Sequence, residues 1–230
     1  MKPELYSRYH EVYDRFSSVK LFPIFITFCQ KVHQNASRNT TAITDVGAGT
    51  GLFTSLLAGQ FSGAKISLIE PSEYMMPYAR ARLSESKIDF YESSLEQTLM
   101  QIQTQDIFIF QRSLYALSGD IGYYKRLANQ LSEKISENGL VGIFEIGQLY
   151  DIPIMREYFQ SNRKVLRLSE NEFEKQWLIF EQALKDFNHG AESGDYMLFN
   201  KDNLNEIFSH KFSLIDGDNR NIFIYRKKTG

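Results

Sequence analysis

Short apolar runs separated by stretches of helical spacing organise this chain. Ile43 to Val46, Lys65 to Ile69, Lys87 to Phe90, Asp106 to Phe110 and Leu140 to Phe144 are brief and rich in Ile, Val, Leu and Phe. That is the signature of buried parallel strands. Between them, Leu52 to Phe61, a segment from Pro71-Ser72 to about Leu83, and Gly122 to Ile135 have helical character. Leu127 and Leu131, four apart, mark the inner face of the last of these. Asn138-Gly139 is its expected stop, and Pro77 is expected to distort the first turn of the helix that it enters. Strands alternating with helices predict an α/β architecture around a mostly parallel sheet.

The flanks read differently. Residues 4–33 predict one or two helices, broken or bent near Pro23, with Tyr6, Tyr9, His10 and Tyr13 on neighbouring turns of one face. Those rings serve either as packing or as the inner surface of a lid. Residues 151–189 exceed what a plain connection needs; Ile152 to Phe159 and Glu170 to Phe187, the latter with Trp177 and Phe180, read as a helical cap. Asn200 to Phe208 is a further helix. Phe212 to Asp216, Gly217-Asp218-Asn219 and Asn221 to Tyr225 read as a terminal hairpin. The expectation is a single domain over residues 1–230, with a lid at about 4–33 and a cap insertion at about 151–189 that close over one cleft.

Gly47, Gly49 and Gly51 occupy the turn between the first strand and the following helix. Positions without side chains let backbone amides approach a polar ligand, and the helix N-terminus adds a positive dipole end. No GK[ST] follows, which excludes a phosphate-binding loop. The spacing from Gly47 is G-x-G-x-G, with Leu52 where a dinucleotide fingerprint has its third glycine. Glu70, ending the second strand, is placed to accept hydrogen bonds from vicinal ribose hydroxyls.

Composition changes this picture little. The chain has 230 residues, 43% hydrophobic and 23% charged, and a formal charge of -2. It offers no global attraction to nucleic acid or anionic membranes. Cys29, the one cysteine, lies in an apolar run and reads as a reduced core residue. No segment is long enough to span a membrane, and a cytoplasmic protein is expected. Four histidines without ligand spacing argue against a metal centre.

DVGAGTG at 45–51, followed after a helix by SLIEPSEYMMPYARARL at 67–83, resembles the class I S-adenosylmethionine-dependent methyltransferases. The resemblance covers about residues 40–147 and 200–226, and implies a seven-stranded sheet whose last strand runs antiparallel at the edge. It implies S-adenosylmethionine as cofactor and S-adenosylhomocysteine as product. Asp45 with Gly47, Ala48, Gly49 and Gly51 would hold the amino-acid end, Glu70 the ribose, and Pro71 and Met75 the adenine. Ser94, where the family commonly has an acid, falls with Leu95 beside the adenine; Glu92 or a backbone carbonyl is the alternative for its amino group.

The segment QRSLYAL at 111–117 resembles the wall of the reaction centre in small-molecule methyltransferases, with Gln111 on the cofactor side. Arg112 and Tyr115, together with Tyr13, are the expected substrate-binding residues. Arg112 would recognise an acidic acceptor or form a surface salt bridge. Glu145 is a candidate acceptor-site carboxylate or base, a hydrogen-bonded structural acid being the competing use, and His10 is a possible proton acceptor. The expected reaction transfers a methyl group to an O, N or C nucleophile of a small organic molecule. A protein side chain as acceptor, a nicotinamide oxidoreductase and a non-catalytic binding protein are the alternatives.

Overall fold

The computed structural model describes residues 3–84 and 87–229. Two helices, α1 (Pro3–Lys20) and α2 (Phe22–Asn35), precede the sheet, and Pro23 lies in the first turn of α2. There its missing N–H costs nothing, so the break falls at Leu21. The side chain of Tyr6 lies outside the described residues.

Strands and helices then alternate: β1 (Ala42–Val46), α3 (Leu52–Gln60), β2 (Lys65–Ile69), α4 (Met76–Arg82), β3 (Ile88–Tyr91), α5 (Leu95–Gln101), β4 (Gln105–Gln111), α6 (Ile121–Lys134) and β5 (Ile135–Phe144). After α7 (Ile152–Ser161), α8 (Glu170–Ser193) and α9 (Lys201–Phe208) come β6 (Phe212–Gly217) and β7 (Ile222–Lys227). The sheet order is β3-β2-β1-β4-β5-β7-β6. Strands β1 to β5 are parallel, and β7 pairs antiparallel with both β5 and β6. The antiparallel strand is therefore one place in from the edge, which β6 occupies.

Chain order reverses between β1 and β4, whose neighbouring strands were laid down in opposite directions from the centre. Such a switch point opens a crevice beyond the carboxyl ends of the two strands. On one face of the sheet, Phe25, Phe28 and Val32 of α2 pack with Phe53 and Leu57 of α3 over Ile43, Ile107 and Ile109. On the other, Tyr124, Leu127 and Leu131 of α6 and Leu204 and Phe208 of α9 cover Phe108, Val141 and Tyr225.

A third apolar cluster stands apart from both: Val12 and Phe16 of α1, Met155 and Phe159 of α7, and Phe173, Trp177, Phe180 and Leu184 of α8. The rings of Phe16 and Phe180 are stacked with centroids 4.5 Å apart. The two N-terminal helices thus part company. Only α1 joins the helices of residues 151–189, whereas α2, expected in the lid, is a layer of the sheet core.

Two helix boundaries differ from expectation. Helix α6 ends at Lys134, and Asn138 (φ 62°) sits within β5 where its register against β4 shifts between Gln105 and Ile107. Ile135 already pairs with Gln105, so Asn138-Gly139 forms a bulge and not a helix stop. Helix α4 begins only at Met76, which puts Pro77 in its first turn. Residues ahead of it are held in a turn by Ser72, whose carbonyl and Oγ accept the N–H of Met75.

Candidate active site

The three glycines after β1 all have left-handed backbones: φ is 65° at Gly47, 58° at Gly49 and 73° at Gly51. Each does a different job. A Cβ on Gly47 would stand 2.5 Å from Cβ of Ser113, because the turns after β1 and β4 touch here. One on Gly51 would meet Leu83 and Ala79 of α4 at 2.9–3.3 Å, so Gly51 is a packing glycine. At Gly49 the same position is open.

Glu70 ties this turn to the next. Its Oε2 accepts the Gly49 N–H at 2.7 Å and its Oε1 accepts the Ser72 N–H at 2.8 Å. Burial raises its pKa to about 6, against the pull of those two amides. Ionised, the carboxylate keeps lone pairs for further donors.

Beneath the turn, Asp45 is fully buried and accepts the Thr54 hydroxyl at 2.6 Å, while its other oxygen has no partner. Burial lifts its pKa to about 7. Asp45 does not line the cavity; it braces the turn against α3.

A cavity of ≈ 290 Å³ opens on one side of the glycine turn, lined by Val46, Gly47, Ile69, Pro71, Ser94, Leu95 and Leu117. Its mostly apolar walls suit a flat heterocycle. Ser94 is the N-cap of α5 in a capping box with Gln97, so its hydroxyl is engaged. Glu92 points away toward Arg80, 3.7 Å distant, and is not a wall of this chamber.

On the other side lies an inner chamber of ≈ 50 Å³, walled by Gly47, Ala48, Gly49, Glu70, Met75, Gln111, Ser113, Arg112, Tyr9, Tyr13 and Tyr115. Gln111 Nε2 and Ser113 Oγ are buried without partners, and polar atoms of that kind call for a ligand or water. The predicted residues Tyr13, Arg112 and Tyr115 meet here.

Arg112 adopts φ 55°, a rare value for a side-chain-bearing residue, with its N–H on the Phe144 carbonyl at 2.7 Å. Its guanidinium donates to the Tyr150 hydroxyl. Burial opposes the charge, but Tyr150, Tyr13, Tyr9 and Tyr115 around it outweigh that effect. Burial in turn raises the phenols of Tyr9, Tyr13 and Tyr150 above their usual range.

Two expected catalytic groups lie elsewhere. His10, one residue past Tyr9 and so about 100° around the helix, packs beside Tyr74 and Tyr78 with ring centroids 6.1 and 5.3 Å away. It is not in the inner chamber. Glu145, 2% exposed, spends one oxygen on the N–H groups of Ser113 and Leu114. It holds the loop after β4 in place, and burial raises its pKa to about 7.

Glu145→Ala orphans those two N–H groups, at about 1–3 kcal/mol each. A drop of that order in unfolding free energy is expected by denaturant titration. Glu145→Gln, whose carbonyl oxygen can accept both, should restore most of it, whereas a base would not survive that exchange.

Three buried carboxyls with raised pKa values set a pH dependence. Between the unfolded values near 4 and the folded values of about 6 to 7, the folded chain binds more protons. Stability from these groups therefore falls as pH rises through that window. The lowered acids Asp106, Glu96, Glu172 and Glu181 act only below their unfolded pKa. The ligand-free protein should melt lower at pH 7.5 than at pH 5.5 in a thermal scan.

Residues the sequence reading left out complete the site. Tyr9, Ser113 and Leu117 line the chambers, and Lys20 and Tyr150 stand behind Arg112. Tyr9 had a signal, its place four residues before Tyr13 on one helical face. Asp14 of α1 accepts from Thr50 Oγ1 and from Arg82, which also donates to the Thr50 carbonyl at 2.6 Å. That triad fastens α1 to the glycine turn.

Residues 43–139 match a family described as "Methyltransferase domain". Over that stretch the chain is similar to the class I S-adenosylmethionine-dependent methyltransferases. Among methyltransferases it is similar to a malonyl-[acyl-carrier protein] O-methyltransferase of Acetivibrio thermocellus, 27% identical over 129 residues. That match covers 56% of this chain and 44% of the relative, less than half of its length.

An O-methyltransferase family protein from Burkholderia thailandensis shares the fold with a TM-score of 0.62 at 10% identity, over 96% of this chain and 59% of that one. The N-methyltransferase NodS from Bradyrhizobium japonicum WM9, in complex with S-adenosyl-L-homocysteine, does so at 0.54 and 11%, over 97% and 100%. At such identities the methyltransferase fold is shared and the acceptor atom is left open. Among the described residues, no helix of this methyltransferase is long and apolar enough to cross a membrane.

Proposed function

We propose that the chain transfers a methyl group from S-adenosylmethionine to a small organic acceptor, as a cytoplasmic enzyme without nucleic-acid or membrane partners. The observation that carries this reading is the pairing of Glu70 with Gly49 at the switch point, where one chamber is apolar and flat-walled and the next is aromatic and polar. Pro71 and Leu95 would hold the adenine side and Glu70 the ribose, while Met75, expected at the adenine, is a wall of the inner chamber instead. The unpartnered Gln111 Nε2 and Ser113 Oγ, beside the open position at Gly49, would hold the amino-acid end.

The bound cofactor supplies an electrophilic methyl group on a sulfonium centre. The chain's own part is alignment and exclusion of water, which account for much of the acceleration in such displacements. Tyr9, Tyr13 and Tyr115 wall the inner chamber with aromatic residues, which shield it from water.

The roofing of the inner chamber by Tyr9 and Tyr13 of α1 supports a small acceptor over a protein side chain. The O-methyltransferase name of the Acetivibrio relative supports oxygen as the methylated atom. Calorimetry tests the cofactor: binding of S-adenosylhomocysteine and none of NAD is expected, and the reverse overturns the reading. Methyl-labelled cofactor incubated with metabolite, protein and RNA fractions tests the acceptor. Label confined to protein or RNA would sink the small-molecule reading, and binding without any transfer would leave a non-catalytic binding protein.

A further inference from the structure

Behind the inner chamber a second cavity of ≈ 40 Å³ lies under the helical cluster, walled by Tyr9, Ser17, Lys20, Arg112, Tyr150 and Met155 among others. Tyr9 and Arg112 line both chambers, so a group held by Arg112 can face either. Resting on the reading above, we propose that the acceptor is a carboxylic acid, held as its carboxylate by Arg112 and Lys20, and that a carboxylate oxygen is the nucleophile.

Two cations share this small space; among the described residues neither forms an ion pair, and the one acid that attracts Arg112 from further off, Glu145, is held by backbone amides. Arg112 has five N–H donors and spends one on the Tyr150 phenol. The Lys20 ammonium meets the Met155 thioether at 2.6 Å, a weak acceptor. Elsewhere Lys31, Lys65, Arg82, Lys125 and Arg156 each have an acid. Burial and the charge of Arg112 push the Lys20 pKa down. An anion placed between them relieves both, and the planar guanidinium fork matches a carboxylate.

The rest of the chamber points the same way. An alcohol or phenol must lose a proton, yet the two sequence-expected acceptors of one stand elsewhere: Glu145 is committed to the Ser113 and Leu114 amides, and His10 lies outside. The tyrosines hold their protons tightly. An ammonium acceptor would be repelled by the two cations. A carboxylate arrives already ionised: its oxygen lone pair forms the new C–O bond as the C–S bond breaks, the electron pair goes to sulfur, and no proton moves. Anion and sulfonium become a neutral ester and a neutral thioether.

The S-adenosylhomocysteine-loaded protein is titrated with sodium benzoate, hexanoate and glutarate, and with the matching amides. At least one acid should bind, and its amide at least about tenfold more weakly. Lys20→Met and Arg112→Met should each erase that acid-over-amide preference while S-adenosylhomocysteine affinity stays within about threefold for Lys20→Met. Lys20→Arg should keep the preference. With labelled S-adenosylmethionine, any acid turned over should yield a methyl group released as labelled methanol by mild alkali, as an ester does and an ether or N-methyl group does not.

Loaded protein that binds no acid better than its amide, or an alkali-stable product, overturns the proposal with the cofactor reading intact. Failure to bind S-adenosylhomocysteine at all overturns the cofactor reading itself.

Discussion

Gly47→Ala should lower the unfolding free energy by about 2–5 kcal/mol and, by displacing Ser113 and Gln111, weaken S-adenosylhomocysteine binding. The new methyl group would lie 2.5 Å from Cβ of Ser113, in a backbone already at φ 65°. Left-handed backbone costs a Cβ-bearing residue about 1–2 kcal/mol, and forcing two packed turns apart costs about 1–3 more. Both turns wall the ligand chambers, so relief of the clash moves Ser113 and Gln111 with it. Gly49→Ala is the informative partner, because its Cβ enters open space and bears the backbone cost alone until the ligand arrives. Calorimetry on the two folded variants separates these effects. Equal and small losses would show that the Gly47–Ser113 approach is not needed for binding.

Removal of the Glu70 carboxylate is the second large effect. Glu70→Ala should cost cofactor affinity about 1.5–3 kcal/mol, roughly 10- to 150-fold, if its charged hydrogen bonds are of ordinary strength. The Glu70→Gln result is the sharper one. Each oxygen now accepts a backbone N–H, from Gly49 on one side and Ser72 on the other. An amide must turn its NH₂ toward one of these donors, so the conservative exchange should bind no better than alanine. Substantial rescue by glutamine would mean that Glu70 serves the ligand without bracing the turns. The carboxylate's pKa of about 6 also gives the interaction a sign with pH: affinity should rise from pH 5 to pH 7 as the ligand-accepting form fills.

The proposed cofactor half can be read along the chain because its parts are contiguous. A glycine turn, the strand before it and the acid ending the next strand are set by local backbone rules, and Pro71, Met75, Ser94 and Leu95 follow in the same loops. Asp45, expected beside the ligand, is a wall of neither chamber, because a strand end in sequence does not say which face its side chain takes.

The acceptor half comes from α1, the turn after β4 and the loop before α7, brought together only by tertiary packing. Lys20 and Tyr150 have no motif, and His10 differs from Tyr9 by one helical step. Glu145 was read in two ways, since a strand-end acid looks alike whether it faces a ligand or two buried amides. For the same reason α2 was grouped with α1. Both are aromatic and helical, and only the sheet face beneath Phe25 and Phe28 separates their fates.

The cluster that joins α1 to α7 and α8 makes the first helix a structural tenant of a unit whose other members lie far along the chain. Val12 and Phe16 close the face that Phe159, Trp177 and Phe180 present. A chain shortened past Phe16 would leave that aromatic face bare, and bare patches of this kind self-associate. Its signature would be lost soluble yield before any change in turnover, so the N-terminus is better interrogated by single substitutions at Tyr9, Asp14 and Lys20 than by deletion.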